Sequence, residues 1–303
     1  MTMNTQIFSS TKNTPLTQVS YQLSPERVIH FQMKRDDLID PQISGNKWRK
    51  LKFNFKQLDQ TQYKGIASFG GAFSNHIAAL SAAGKQTGIA TIGFIRTHEI
   101  DLNNPTLSLA KQSGMQLIAL SREEYRKRHD VEFINQLQRA HPDYYFVPEG
   151  GSNQLAALGL AELVGELKQQ SITADKHIIA CAIGSGGTIS GMLDAFEDMQ
   201  FIGIAVVKDI PLLTELKQKY GERLTIISDN LFGGYGKTTD ELNAFCLDFH
   251  QQTEIPIEPI YTGKLMHTLM NRFDELVSDD KSLLAIHTGG LQGIKGLSYR
   301  HQY

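Results

Sequence analysis

The chain has 303 residues, 41% hydrophobic and 20% charged, and its 30 Lys and Arg against 32 Asp and Glu leave a formal charge of -2. That balance supplies no bulk field of the kind that nucleic-acid or membrane-surface binding exploits, and the length allows two domains or one large α/β domain. Cys181 and Cys246 are too few for a disulfide framework and lack C-x-x-C spacing, so they read as buried thiols in a reducing compartment. The first twenty residues are polar, without the apolar stretch of a signal peptide, and no membrane-length apolar run follows; a cytoplasmic protein with no membrane partner is the expectation.

The first element with chemical interest is ISGNKWRKLKFN, residues 43–54, where Ser44-Gly45-Asn46 reads as a turn or helix cap and the rest as a helix. On that helix Lys47 shares a face with Lys50 and Leu51, while Arg49 and Lys52 point elsewhere. Local periodicity alone makes the basic cluster a solvated face, with Arg49, Lys50 and Lys52 as surface or supporting charges. From 64 to 148 the chain alternates strand-like GIASF, helical SNHIAALSAAGKQTG, strand-like ATIGFI, helical PTLSLAKQSG, strand-like MQLIALS, a charged helical stretch and strand-like YYFVPEGG. This βαβα rhythm implies a parallel sheet. It restarts after Gly151 with helical NQLAALGLAELVGELKQQ, buried HIIACAIG, helical GTISGMLDAFEDM and strand-like FIGIAVV. Amphipathic TTDELNAFCLDFHQQT, a helix KLMHTLMNRFDELVSD and a last strand SLLAIHTGG complete a second α/β unit.

Glycine-rich loops fall at the ends of predicted strands: FGGAFSN (69–75), EGGSN (149–153), IGSGGTISG (183–191) and HTGG (287–290). In open parallel sheets ligands sit at the carboxyl ends of strands. The run AIGSGGTISG joins an apolar strand to a helix through glycines, Ser185 and Thr188, which suits a phosphate group; a tight strand-to-helix turn is the plainer alternative. A dinucleotide fingerprint fails because Ile189 stands where the third glycine is required, and GGYGKTT is no P-loop because Leu231 occupies the position of its first glycine. No G-x-S-x-G elbow or H-E-x-x-H zinc motif occurs, and no metal site is expected. His76 and His287 abut glycine-rich loops, where a hydrogen-bonded structural role is the ordinary one. A lysine with a monophosphate site is the requirement of pyridoxal 5'-phosphate (PLP), whose aldehyde forms a Schiff base with an amine.

With KRDDL, SGNKWRKL, SFGGAFSNH, PEGGSN, GSGGT, YTGK and HTGG in this order, the chain resembles the PLP enzymes of the tryptophan-synthase-β-like fold. Within them it resembles the 1-aminocyclopropane-1-carboxylate (ACC) deaminase and D-cysteine desulfhydrase group over nearly its whole length. The resemblance implies two open, twisted, mostly parallel sheets flanked by helices, with the active site in a cleft between domains. It implies a large PLP-binding domain of 1–53 with 154–303, a small domain of 54–153, and a homodimer. Lys47 becomes the Schiff-base lysine, Asn75 the partner of the cofactor's 3'-oxygen and Ser74 the residue facing the substrate carboxylate or α-carbon. Gly184, Ser185, Gly186, Gly187 and Thr188 become the phosphate cradle, and Tyr235 and Tyr261 flank the substrate.

ACC deaminases of the group carry Glu where Thr262 stands and Leu where Thr288 stands, whereas D-cysteine desulfhydrase-like members share both threonines. A neutral hydroxyl at the pyridine nitrogen leaves a weaker electron sink than a carboxylate would, which suits α,β-elimination from a small amino acid better than opening of a cyclopropane. The implied reaction converts D-cysteine to pyruvate, ammonia and sulfide, with ACC or another small β-substituted amino acid as the alternative substrate. Ala78 departs from the group, which often carries Arg there. That departure is the one hint of a catalytically idle PLP-binding or regulatory protein; a nicotinamide oxidoreductase is already weakened by Ile189.

Overall fold

The computed structural model describes residues 5–8, 12–229, 232–294 and 296. The chain begins with an antiparallel hairpin of β1 (Leu16–Ser24) and β2 (Arg27–Lys34), in register from Leu16 opposite Lys34. In β1 only Val19 and Tyr21 are buried, facing the core at a spacing of two. Helix α1 (Asn46–Lys56) follows, and then β3 (Gly65–Gly71), α2 (Asn75–Thr87), β4 (Ala90–Arg96), α3 (Pro105–Gln112), β5 (Gln116–Leu120), α4 (Arg122–Arg126), α5 (Val131–Ala140) and β6 (Tyr144–Val147). These four strands form a wholly parallel sheet in the order β5-β4-β3-β6. The predicted single charged helix is two, separated where Asp130 caps α5 through the Phe133 amide.

The second unit runs α6 (Gln154–Gln169), β7 (His177–Ile183), α7 (Gly187–Ala195), β8 (Phe201–Ala205), α8 (Ile210–Tyr220), β9 (Leu224–Ile227), α9 (Asp240–Thr253), α10 (Thr262–Asn271), α11 (Phe273–Leu276) and β10 (Ser282–Ile286). Its six-stranded sheet has the order β1-β2-β10-β7-β8-β9, parallel except for the β1 and β2 hairpin. The predicted helix over 264–279 breaks at Arg272 into α10 and α11. One face of this sheet packs on α9 and α10 through Phe249, Leu265 and Leu269, and the other on α6, α7 and α8 through Leu163, Met192 and Leu216. The expected architecture of two mainly parallel sheets flanked by helices is therefore the observed one.

Helix α1 lies between the two units. Trp48, Leu51 and Phe55 join Ile77 and Leu80 of α2 in one apolar cluster, while the polar side of α1 runs along α6 so closely that a Cβ on Gly159 would sit 2.0 Å from the Arg49 carbonyl oxygen. The basic residues that periodicity assigns to a solvated surface are instead fully buried. Arg49 donates to both oxygens of Asp36 at 2.7 and 2.8 Å and to both oxygens of Glu166 at 2.8 and 2.9 Å. Lys34 completes the cluster at 2.9 Å from Glu166. Lys52 reaches both oxygens of Glu162 at 2.7 Å with its ammonium 5.3 Å from the Trp48 ring centroid. Partner carboxylates from other segments, invisible to a helical wheel, are what allow Arg49 and Lys52 inside.

Candidate active site

The glycine loops that punctuate the sequence converge at one rim. Gly45 has φ +63, and a Cβ there would lie 1.8 Å from the Thr288 carbonyl oxygen, which accepts the Asn46 amide at 3.2 Å. This close approach, open only to glycine, seats the start of α1 on the loop after β10. Thr288 thus enters the site through its backbone.

Lys47 stands in the first turn of α1 and is half-buried. Its Nζ makes one long contact, 3.5 Å to the Gly150 carbonyl. Burial pulls its pKa from 10.5 down to about 8, against the opposing pull of Glu149. One turn on, fully buried Lys50 donates to the same carbonyl at 3.2 Å and to Ser152 Oγ at 2.9 Å. With neutral acceptors only and Lys47 nearby, its pKa falls well below the ordinary value, burial being the larger cause. The lowered amine of Lys47 has a kinetic consequence. Deprotonated amine is the form that attacks an aldehyde, so uptake of PLP by the apoprotein should accelerate with pH up to about 8 and level off above it. Stopped-flow absorbance checks this, and a rate still climbing toward 10.5 would mark an ordinary lysine.

The GSGGT loop leads from β7 into α7. Gly186 caps α7 in the left-handed region at φ +75, and Thr188 is buried, its Oγ1 accepting from Asn46 Nδ2 at 2.6 Å. A Cβ on Gly187 would lie 2.0 Å from Ser152 Oγ and 2.8 Å from Lys50 Nζ. Ser185 Oγ approaches the Cβ position of Gly150 at 2.9 Å, and the Tyr261 ring approaches that of Gly184 at 2.9 Å. Backbone amides at the N-terminus of α7, two hydroxyls and the Lys50 ammonium therefore meet at one place, a donor set that fits a phosphate monoester. A bound dianion would restore the charge that burial takes from Lys50.

Ser74 caps α2, its Oγ accepting the Ile77 amide at 3.3 Å, and Asn75 opens the helix. Asn75 faces the HTGG loop, with its Nδ2 2.6 Å from the Cβ position of Gly290. His76 is buried; its Nε2 lies 2.8 Å from Ser68 Oγ, while Nδ1 has no hydrogen-bond partner. Burial, then Lys47 and Lys50, hold its pKa well below the ordinary value, so it is a neutral ring beside two amines. His287 is bonded to the Pro256 carbonyl at 2.8 Å and is structural. Ala78 is buried one turn into α2.

Across the cleft, Tyr261 precedes α10, and its hydroxyl donates to that of Tyr235 at 2.9 Å, with the rings edge-to-face at 5.9 Å. Burial, then Tyr235, raise the Tyr261 pKa well above 10.0, so its phenol is protonated near neutrality. Phe73, Asn75, Tyr235, Glu258, Ile260 and Tyr261 are among the residues lining a cavity here. Thr262 is fully buried and its Oγ1 has no hydrogen-bond partner. A buried hydroxyl left unpaired is costly, and a bound group such as a ring nitrogen would satisfy it. Asn46, Lys50, Ser152 and Glu258 are the residues at this site that motif reading passed over. The available signals were the shared helical face of Lys47 and Lys50 and the spacing of Glu258 just before a helix start.

The fold matches known proteins. The chain belongs to the family of pyridoxal-phosphate dependent enzymes, which it matches over residues 7–289. It is similar to a Thermotoga maritima protein provisionally named 1-aminocyclopropane-1-carboxylate deaminase, 29% identical over 310 residues covering 96% of this chain and 98% of that one. An Arabidopsis thaliana protein named bifunctional D-cysteine desulfhydrase/1-aminocyclopropane-1-carboxylate deaminase, mitochondrial, is 28% identical over 86% of this chain and 72% of its own length. Among solved structures, one described as an ACC deaminase homologue superposes with a TM-score of 0.75 at 26% identity, covering 94% of this chain and 93% of that one. The cofactor is pyridoxal 5'-phosphate, as the family description states. Among the described residues no helix is long and apolar enough to cross a membrane, and no cluster of side chains suits a metal ion.

Proposed function

We propose that this chain is a PLP-dependent lyase that removes a β-substituent and the amino group from a small amino acid, with D-cysteine the best candidate and sulfide, pyruvate and ammonia the products. The observation that carries the reading is the unpartnered Thr262 hydroxyl, a neutral group at the start of α10 where an ACC deaminase would present a carboxylate. The named relatives support both activities, since the Arabidopsis protein bears both names and a Serratia proteamaculans relative, 25% identical over 91% of each chain, is named D-cysteine desulfhydrase. ACC deamination is thus the second reading.

The bound cofactor supplies an electron sink for the pair left when the α-carbon loses its proton. The chain's own groups do the rest. Ser74 Oγ accepts from Ile77, so its own proton is available to a carboxylate oxygen, and the exposed amides at the start of α2 add positive potential there. Asn75, beside Gly290, would be the side chain that faces the cofactor's 3'-oxygen. Lys47 would be the residue that holds the cofactor covalently, and its Nζ, an amine with a pKa near 8, is a competent base for the α-proton at neutral pH. The hydrogen-bonded pair of Tyr261 and Tyr235 donates a proton to the departing β-substituent through one of its two hydroxyls. Gly184 to Thr188 with Thr262 and Thr288 would hold the cofactor.

We read the large unit as 1–53 with 154–303 and the small one as 54–153, in a cytoplasmic homodimer. Support for the domain division comes from the two separate sheets, for the cytoplasmic location from the free, buried thiols Cys181 and Cys246, and for the homodimer only from the resemblance. Steady-state assays with D-cysteine, L-cysteine, D-serine, L-serine and ACC test the function: sulfide release from D-cysteine should be fastest. Preferential formation of 2-oxobutyrate from ACC would overturn the Thr262 argument, and no turnover of any of them would favour the catalytically idle alternative.

A further inference from the structure

Two buried ionisable side chains, Glu258 and Lys264, take no part in the chemistry above, yet each grips the backbone next to one of the two tyrosines. Glu258 is fully buried; its Oε1 accepts the amides of Tyr261 at 2.8 Å and Thr262 at 2.9 Å, and its Oε2 accepts that of Ile260 at 2.7 Å. Lys264 is equally buried, and its Nζ donates at 2.8 Å to the carbonyl of Gly234, the residue before Tyr235. The two charges attract one another, and burial brings each to a pKa of about 8. A helix start needs no such arrangement, because Ser, Thr or Asn would cap it without burying an ion. What Glu258 adds is three amides locked in sequence, which fixes the direction in which Tyr261 leaves the chain. Lys264 adds a tether from the first turn of α10 to the loop that carries Tyr235, a residue 47% exposed.

We propose that Glu258 and Lys264 are positioning residues that hold the Tyr261 and Tyr235 hydroxyls in hydrogen-bond register for proton donation to the leaving group. This rests on the reading of those tyrosines as substrate-facing. The test uses the PLP-loaded enzyme with fluorotyrosine incorporated throughout, the Tyr235 and Tyr261 fluorine resonances being assigned by Tyr235→Phe and Tyr261→Phe. Glu258→Gln should move the Tyr261 resonance and Lys264→Met that of Tyr235, with kcat on the best panel substrate falling by roughly tenfold or more and KM changing much less. Combining Glu258→Gln with Tyr261→Phe should cost no more than the worse single change, as expected of residues acting through one contact. Should either substitution prevent folding, Glu258→Asp and Lys264→Arg keep the charge, alter the reach and give the same readout. Resonances that stay in place, or losses that multiply in the double variant, would overturn the proposal. Moved resonances together with full turnover in both Tyr→Phe variants would leave the positioning intact and remove the catalytic reading of the tyrosines instead.

Discussion

Lys47→Ala should lower turnover by roughly a thousandfold or more, because it removes both the covalent attachment and the general base. The competing candidate is three residues away, since Lys50 also carries a lowered pKa and faces the same Gly150 carbonyl. Geometry separates them. Lys50 is fully buried and held by two acceptors beneath Gly187, whereas Lys47 is half-buried and has a single long contact to give up. Borohydride reduction of the PLP-loaded protein followed by peptide mass spectrometry should find the pyridoxyl group on Lys47 and none in Lys47→Ala. Label on Lys50 in the unaltered protein would reverse the assignment. The alanine variant should still take up the cofactor reversibly, because the phosphate donors of α7, Thr188 and Lys50 are untouched.

The second large effect falls on stability. Arg49→Met should destabilise the protein by about 3–5 kcal/mol, the usual consequence of removing one partner from a buried ion cluster. Asp36, Arg49, Glu166 and Lys34 balance two negative against two positive charges; without Arg49, two fully desolvated carboxylates would face Lys34 alone. The shift of the urea unfolding midpoint measures it. Lys64→Met is the control: its pair with Asp143 is exposed on both sides, and such surface pairs contribute little. Equal midpoints for the two variants would show that water reaches the Arg49 cluster.

Seven of the ten strands among the described residues were legible because each is a short apolar run between helical periods, as in ATIGFI for β4 and HIIACAI for β7. The hairpin of β1 and β2 was not, because much of it is solvated and only alternate residues such as Val19 and Tyr21 turn inward. Short β9, with a single fully buried residue, Leu224, gave no periodic signal either. At the site, glycines were the readable part, because Gly187 and Gly45 stand where any Cβ would collide. The burial of Arg49, Lys50 and Lys52 was unreadable for the opposite reason. Their partners Glu166, Ser152 and Glu162 come from segments about a hundred or more residues away in sequence, and a local pattern cannot show whether a charge has a remote counterpart.

The placement of α1 has a mechanical consequence. Its apolar side is wedged into the core beside the small sheet, with Trp48 against Phe8 at 5.6 Å, while its ionic side is bolted to α6 through Glu166 and Glu162. A rigid shift of one wall of the cleft against the other has to shear one of these two joints. Lys47, at the head of this axle, is therefore held in place from both sides of the cleft.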